Sequence, residues 1–121
     1  MVLVDSSVWT DHFRSADSDL LRLLMREEVL AHRFVIGELM LAGLYRRPDV
    51  LRELRMLPAA PLPTPTEVER LIEAKRLDGR GIGYVDATLL AAVRLLPGAC
   101  LWTRDRRLAA LAAETGVGYR A

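Results

Sequence analysis

The sequence has almost none of the residues that build cysteine- or histidine-based sites. Its 121 residues include one cysteine, Cys100, which excludes an internal disulfide and a zinc site made of cysteines. The two histidines, His12 and His32, are far apart and share no ligand spacing, so we expect both to be structural or surface residues. No Ser–His–Asp or Cys–His arrangement is recognisable, and the chemistry must depend on other side chains.

Long apolar runs are also missing. No uncharged stretch approaches the roughly 20 residues needed to cross a bilayer. The first residues, MVLVD, lack the basic region of a signal peptide and reach a carboxylate at once. We therefore expect a cytoplasmic protein without contact to a membrane.

An excess of one charge is absent too, because 17 basic and 16 acidic residues leave a formal charge of +1. Overall charge therefore argues neither for nor against a nucleic-acid partner. The basic set is nevertheless unusual, since Lys75 is its only lysine and all the others are arginines. Arginine contacts phosphate through two hydrogen bonds at once, although a high arginine share can also reflect genome composition.

Short apolar segments alternate with longer segments that have helical spacing. The expected strands are residues 1–5, 29–32, 59–65, 99–103 and 117–120. The expected helices are residues 6–14, 18–28, 33–45, 48–57, 67–77, 84–96 and 104–116. This alternation predicts an α/β fold with a mostly parallel sheet covered on both faces. The length fits one domain over residues 1–121 with a single core.

Four acidic residues fall at or near the ends of these strands. In a parallel sheet, ligands bind at the carboxyl ends of the strands. Asp5 closes the first strand, and Asp105 follows the strand at residues 99–103. Glu38 lies on the helix after the second strand, and Asp86 begins the helix at residues 84–96. We expect these four carboxylates to meet at one edge of the sheet.

Glu38 is the only charged residue in the apolar segment FVIGELMLAGLY. The residues on its helical face are all uncharged: Phe34, Val35, Leu41, Ala42 and Tyr45. This face is therefore expected to pack inward. A buried carboxylate is costly unless it is neutralised, paired or bound to a cation.

Each acid also has a plainer explanation. Asp5 could bond backbone N–H groups, and Asp86 and Asp105 could cap their helices. Glu38 could pair with Arg33 or another arginine. The joint pattern favours a divalent ion, because several acids at one place repel one another unless a cation lies among them. Oxygen ligands of this kind suit Mg²⁺ or Mn²⁺.

The segments that carry these acids resemble the signature of a known family. VLVDSSVW, VIGELMLAG, YVDATLL and LWTRDRRL are similar, in order and spacing, to the motifs of PIN-domain ribonucleases. The resemblance is greatest to the VapC-type toxins of bacterial type II toxin–antitoxin (VapBC) systems. It implies a PIN-like three-layer α/β/α sandwich with a sheet of four to five strands. It also implies an Mg²⁺- or Mn²⁺-dependent endoribonuclease that hydrolyses RNA phosphodiester bonds.

The resemblance assigns roles to individual residues. By similarity, the four acids Asp5, Glu38, Asp86 and Asp105 bind the metal ion. Ser7 and Thr103 match polar positions that often line the same site. Arg107 stands where many relatives carry a further acid, which makes a second metal ion less certain than the first.

Three arginines surround the last acid, namely Arg104, Arg106 and Arg107. They are candidates for contacts with RNA phosphates. The alternative is the solvated start of a helix, and the sequence does not separate the two.

The family also implies protein partners. These are a VapB-type antitoxin, which would occupy an apolar groove beside the acidic pocket, and a second copy in a homodimer. The segments LLRLLM (residues 20–25) and VLRELRML (residues 50–57) are candidates for such contacts, unless they belong to the core.

Two other classes of function compete with the nuclease. One is an inactive PIN-like binding scaffold. The other is a haloacid-dehalogenase-like phosphatase or a phosphoacceptor receiver domain. The phosphatase requires an Asp where Ser7 stands, and the receiver requires a late lysine, whereas Lys75 lies in a mid-chain helix.

Overall fold

The computed structural model describes residues 1–120, and a parallel sheet lies at its centre. Its strands are β1 (Val2–Val4), β2 (Val29–Leu30) and β3 (Cys100–Trp102), in the order β2-β1-β3. Val2 pairs with Val29 on one side and with Cys100 on the other. Because all three strands are parallel, their carboxyl ends lie at the same edge of the sheet.

Seven α-helices surround this sheet. They are α1 (Ser6–Arg14), α2 (Ser18–Met25), α3 (Arg33–Leu41), α4 (Pro48–Met56), α5 (Pro65–Lys75), α6 (Tyr84–Arg94) and α7 (Arg106–Glu114), with a 3₁₀ turn at Leu44–Arg46. Local signals explain several starts. At α5, for example, the Thr64 hydroxyl accepts from the Glu67 N–H at 3.1 Å, and the Glu67 carboxylate accepts from the Thr64 N–H at 2.9 Å.

Both faces of the sheet are covered by helices, as predicted. Consecutive side chains of a strand point to opposite faces, and Val2, Leu3 and Val4 are all buried. Helix α6 is buried from residue 87 to residue 93, which explains why its sequence is almost entirely apolar. No helix among residues 1–120 is both long and apolar enough to span a membrane.

The prediction of four to five strands was wrong, because the sheet has three. The expected outer strands each contribute a single bridge, Ala31 with Ala59 and Leu101 with Gly118. Proline has no N–H to donate, and the segment around the first bridge contains Pro58, Pro61, Pro63 and Pro65. Pairing with β2 therefore ends after two backbone hydrogen bonds, from the Ala31 N–H to the Pro58 carbonyl and from the Ala60 N–H to the Ala31 carbonyl.

Helix α3 is also shorter than expected and ends at Leu41 instead of residue 45. Gly43 follows with a φ of 111°, a left-handed conformation that glycine adopts at little cost. The chain turns there into the separate 3₁₀ turn.

His32 fixes the start of α3. Its ring is fully buried, and Nδ1 accepts a hydrogen bond from the Phe34 N–H at 3.0 Å. The proton must therefore be on Nε2, which donates to the Pro61 carbonyl at 3.2 Å. Burial lowers the pKa of His32, with a smaller opposing effect from the bond to Pro61. His32 is thus a structural residue that joins α3 to the segment before α5.

We expect His32 to make the fold sensitive to mild acid. Its pKa in the folded chain lies below the ordinary value of 6.5, so the unfolded chain binds the proton first, and stability falls as the pH drops below about 6.5. In His32→Asn the amide oxygen still caps the helix, and this part of the pH dependence disappears. Denaturant unfolding at about pH 7.5, 6.5 and 5.5 measures it. Equal pH dependence in both proteins would contradict this assignment.

Candidate active site

The four predicted acids line one pocket at the carboxyl edge of the sheet. The pocket has a volume of about 540 Å³. Its wall contains Asp5, Ser6, Ser7, Thr10, Asp11, Arg14, Glu38, Asp86, Arg104 and Asp105. The fold therefore brings together residues from four separate parts of the sequence, as the strand-end argument required.

Asp5 is the most enclosed of the four. It follows β1, and its residue is only 6% exposed. Its Oδ2 accepts hydrogen bonds from the Ser7 hydroxyl and the Thr103 hydroxyl, each at 2.8 Å. These hydroxyls accept in turn from backbone N–H groups, Ser7 from Arg104 at 3.0 Å and Thr103 from Asp105 at 3.1 Å. Ser7 and Thr103 thus orient the Asp5 carboxylate.

Glu38 faces the pocket from α3. Ser6, which the sequence analysis did not single out, donates from its hydroxyl to Glu38 Oε1 at 3.2 Å. Burial raises the pKa of Glu38, the bond from Ser6 opposes this, and the charges of Asp5 and Asp86 raise it further. The residue is half-buried and carries an anion that its surroundings disfavour.

The expectation that the Glu38 face packs inward was wrong in part. Val35 is buried, but Leu41 is 90% exposed and Tyr45 is 55% exposed. The face of α3 that carries Glu38 therefore meets the core at one end and the pocket and solvent at the other.

Asp86 lies in the first turn of α6. The helix is capped by Gly83, and Asp86 Oδ2 is 3.4 Å from the Gly83 N–H, so Asp86 is not itself the capping residue. Burial raises the pKa of Asp86, the Gly83 N–H opposes this, and the charges of Asp5 and Asp105 raise it further. Asp86 is thus a second carboxylate whose charged form is disfavoured.

Asp105 does cap its helix. Its Oδ1 accepts from the Leu108 N–H at 3.0 Å at the start of α7. Its Oδ2 has no hydrogen bond to the described residues. Asp105 therefore holds the helix with one oxygen and presents the other to the pocket.

None of the four acids forms an ion pair with an arginine or lysine among residues 1–120. The alternative of a bond between Glu38 and Arg33 is therefore not realised. No three acidic, histidine or cysteine side chains in this range are close enough to hold a metal ion as they are placed. The four carboxylates thus share one pocket but do not, as placed among the described residues, form a complete set of ligands.

The chemistry of these side chains nevertheless fits a divalent cation. The donors are carboxylate and hydroxyl oxygens, which Mg²⁺ and Mn²⁺ prefer, and no arginine or lysine among residues 1–120 pairs with the four acids. Asp5, Glu38 and Asp86 could hold one ion, with Asp105 completing or orienting its ligands. A cation there would favour the charged forms of Glu38 and Asp86, whose pKa values are raised by burial and, to a smaller extent, by the neighbouring acids.

Arg104 is already bound within the protein. Its guanidinium contacts Asp11 at 2.6 Å and Asp17 at 2.5 Å, and it lies 5.8 Å from the centre of the Trp102 ring. Arg104 therefore ties the end of β3 to α1 and to the start of α2. Of the other two predicted RNA contacts, Arg106 is exposed, and Arg107 lies over Gly81 in the segment before α6.

Helix α1 contributes pocket residues that the sequence analysis did not single out. Thr10, Asp11 and Arg14 line the wall together with the predicted Ser7, and the four follow the three- and four-residue spacing of a helix. The sequence shows this spacing, but it does not show which side of α1 faces the pocket.

Known proteins resemble this chain over most of its length. The PIN domain matches residues 2–114. Ribonuclease VapC32 of Mycobacterium tuberculosis is 50% identical over 117 residues, which is 97% of this chain and 94% of the relative, in both the CDC 1551 / Oshkosh and the H37Rv strains. The crystal structure of PAE2754 from Pyrobaculum aerophilum matches with a TM-score of 0.63 at 21% identity, over 92% of this chain and 78% of that one. This last likeness concerns the fold alone.

We expect removal of one pocket charge to stabilise the metal-free protein. Because the pKa values of Glu38 and Asp86 are raised in the folded chain, their ionised forms at neutral pH oppose folding. Glu38→Gln or Asp86→Asn should raise the melting temperature in a chelator by roughly 2–5 °C. Added Mn²⁺ should stabilise the wild type more than either variant.

The matched control is Glu69→Gln, which changes an exposed acid of α5 outside the pocket. It should alter neither the melting temperature nor the response to Mn²⁺. Lower melting temperatures for the pocket variants in the chelator, or an equal gain from Mn²⁺ in all four proteins, would disprove this account of the pocket.

Proposed function

Since this chain belongs to the PIN-domain family, among its VapC-type members, we propose that it is a divalent-metal-dependent endoribonuclease that acts as the toxin of a VapBC pair. In this proposal the protein hydrolyses phosphodiester bonds of RNA and acts in the cytoplasm. The chain forms a single domain. The observation that carries this proposal is the pocket in which four carboxylates meet without a basic partner among residues 1–120. The name of the 50% identical relative, a ribonuclease, supports it.

Asp5, Glu38 and Asp86 would hold the cation, Mg²⁺ or Mn²⁺, and Asp105 would complete its ligands. When bound, such an ion would polarise a phosphoryl oxygen, lower the pKa of a water molecule and stabilise the leaving oxygen. Ser7 and Thr103 keep the Asp5 carboxylate in place through its Oδ2. Ser6 does the same for Glu38.

We assign the attack to water, because the Ser6 and Ser7 hydroxyls of the pocket donate to the carboxylates that would hold the cation and neither contacts a histidine among residues 1–120. The hydroxyls of Ser7 and Thr103 both donate to Asp5. The two histidines are engaged elsewhere, since His12 Nδ1 accepts from the Asp17 N–H at 2.9 Å and His32 caps α3. A serine–histidine pair is therefore not available to activate a hydroxyl.

RNA reaches the pocket along the start of α7. Arg106 and Arg107 are exposed there, next to Asp105, and we assign them to contacts with the RNA backbone. Arg104 contributes a charge to the pocket wall, but its guanidinium is shared with Asp11 and Asp17.

The antitoxin occupies an apolar groove beside the pocket. The groove has a volume of about 380 Å³, and its lining combines the two segments singled out in the sequence with α1. The lining residues are Trp9, His12, Phe13, Leu24, Val50, Glu53, Leu54 and Leu57. Phe13 also lines a neighbouring pocket that shares Thr10 and Arg14 with the acidic one. A VapB-type segment with an apolar part and then a basic part fits this path.

We also propose that the chain forms a homodimer, as the family resemblance implies.

Removal of the central acid should abolish cleavage. In Asp5→Ala, or in Glu38→Gln where folding is a concern, cleavage of total RNA and tRNA with Mg²⁺ or Mn²⁺ should fall by about 100-fold or more, because a cation ligand is lost. Asp49→Ala, which changes an exposed acid of α4, is the control and should retain activity. A folded wild type that is inert with both metals, or full activity in Asp5→Ala, would overturn the enzyme proposal.

A charge in the groove should separate the toxin from its antitoxin. Phe13 is 39% exposed, so Phe13→Asp should leave the fold intact but prevent co-purification with a VapB-type antitoxin and relieve its inhibition of RNA cleavage. Leu62→Asp changes an apolar residue of similar exposure, 44%, outside the groove and serves as the control. Unchanged inhibition in Phe13→Asp would place the antitoxin elsewhere.

A further inference from the structure

We propose that Arg14 binds a backbone phosphate of the RNA at the mouth of the acidic pocket. This assignment rests on the proposed ribonuclease function and names one of the protein groups that hold the substrate. The ligand is a phosphodiester of single-stranded RNA, recognised through its charge and not through its bases.

Arg14 stands at the opposite end of α1 from Asp5, the residue that precedes the helix. It is the last residue of α1, it is exposed, and it lines both the acidic pocket and the adjoining pocket that contains Phe13. Along the helix axis it is roughly 10 Å from Ser7, which orients Asp5. The same helix face therefore carries the support of the acidic centre at its start and a guanidinium at its end.

Within the part of the chain that the structure describes, residues 1–120, Arg14 has no ion-pair partner. Two cations line the acidic pocket, Arg14 and Arg104. Arg104 is bound to Asp11 and Asp17, whereas Arg14 has no ion pair within residues 1–120. Asp11 stands three residues before Arg14, a spacing at which opposite charges on a helix pair. Because Arg104 holds Asp11 at 2.6 Å, that partner is taken.

Arg14 does not pair with the acidic centre either. None of the four acids forms an ion pair with an arginine within residues 1–120. The Arg14 guanidinium is therefore available to a group that enters the pocket.

A polyanion that enters this pocket needs such a group. Four carboxylates repel the RNA backbone, and a cation at the mouth offsets the repulsion where the strand enters. A guanidinium also contacts a phosphate through two hydrogen bonds at once. The paired state of Arg104 and the unpaired state of Arg14 therefore assign different roles to the two arginines: Arg104 positions α1, and Arg14 binds substrate.

Binding to RNA without cleavage tests the assignment. Fluorescence anisotropy with a mixed-sequence single-stranded RNA oligonucleotide is measured in the Asp5→Asn background with Mg²⁺ present. Addition of Arg14→Gln should weaken binding by about 5–10-fold and make the slope of log K against log salt less negative by about 0.7, the value of one phosphate contact. Arg14→Lys keeps the charge, so its slope should stay near that of the parent, with an intermediate affinity.

Arg70→Gln is the matched control, because Arg70 is an exposed arginine on α5 that lines no part of the pocket. It should change neither affinity nor slope. In the chain with Asp5 intact, Arg14→Gln should leave the melting temperature and its increase with Mn²⁺ unchanged, which a structural or metal-binding role of Arg14 would not allow.

The outcomes separate this assignment from the proposed function. If the chain with Asp5 intact cleaves RNA but Arg14→Gln binds RNA like the parent, the assignment alone is wrong. If Arg14→Gln loses the stabilisation by Mn²⁺, Arg14 acts on the ion and the assignment is again wrong. If the chain with Asp5 intact does not cleave RNA while Arg14→Gln still weakens binding with the expected slope, the phosphate contact stands and the enzyme proposal falls.

Discussion

Repulsion among carboxylates in one pocket is the constraint on which the rest of this structure depends. Asp5 is almost fully buried, and burial together with neighbouring negative charges raises the pKa of Glu38 and Asp86. No arginine or lysine among residues 1–120 pairs with these groups. Such an arrangement costs stability in the chain by itself, and costs of this kind are typical of functional sites. A bound cation turns the same arrangement into a favourable one.

The fold explains how these acids meet. The central strand β1 has a parallel neighbour on each side, so the segments that follow β1 and β3 leave the sheet at one edge. Asp5 and Asp105 come directly from those segments. Hydroxyls from the same two segments, Ser7 and Thr103, bind one oxygen of Asp5 and are themselves held by backbone N–H groups. The acidic centre is therefore built on the most buried part of the molecule.

Much of this could be predicted from the sequence, because its causes are local. The alternation of apolar runs with helical spacing predicts the α/β class, and the apolar segment at residues 84–96 predicts the buried helix α6. The number of strands could not be predicted in this way. Residues 59–65 and 117–120 have the composition of strands, but each forms only one bridge, since pairing depends on which N–H groups meet a partner.

The site, too, could be predicted only in part. The sequence indicates where the four acids lie relative to the strands and helices, but it does not indicate which residues the individual side chains contact. Arg104 pairs with Asp11 and Asp17, which lie 93 and 87 residues away in the chain, and no local pattern indicates this. The helical spacing of α3 shows which residues lie on the same face as Glu38. It does not show whether those residues contact the core or solvent, and Leu41 is exposed.

The most direct test of the central claim is the anomalous scattering of Mn²⁺ in crystals of this protein. We predict a peak in the acidic pocket, roughly 2.0–2.3 Å from oxygens of Asp5 and of at least two of the other three acids. An empty pocket at saturating Mn²⁺, or a peak bound only by residues outside it, would contradict the account.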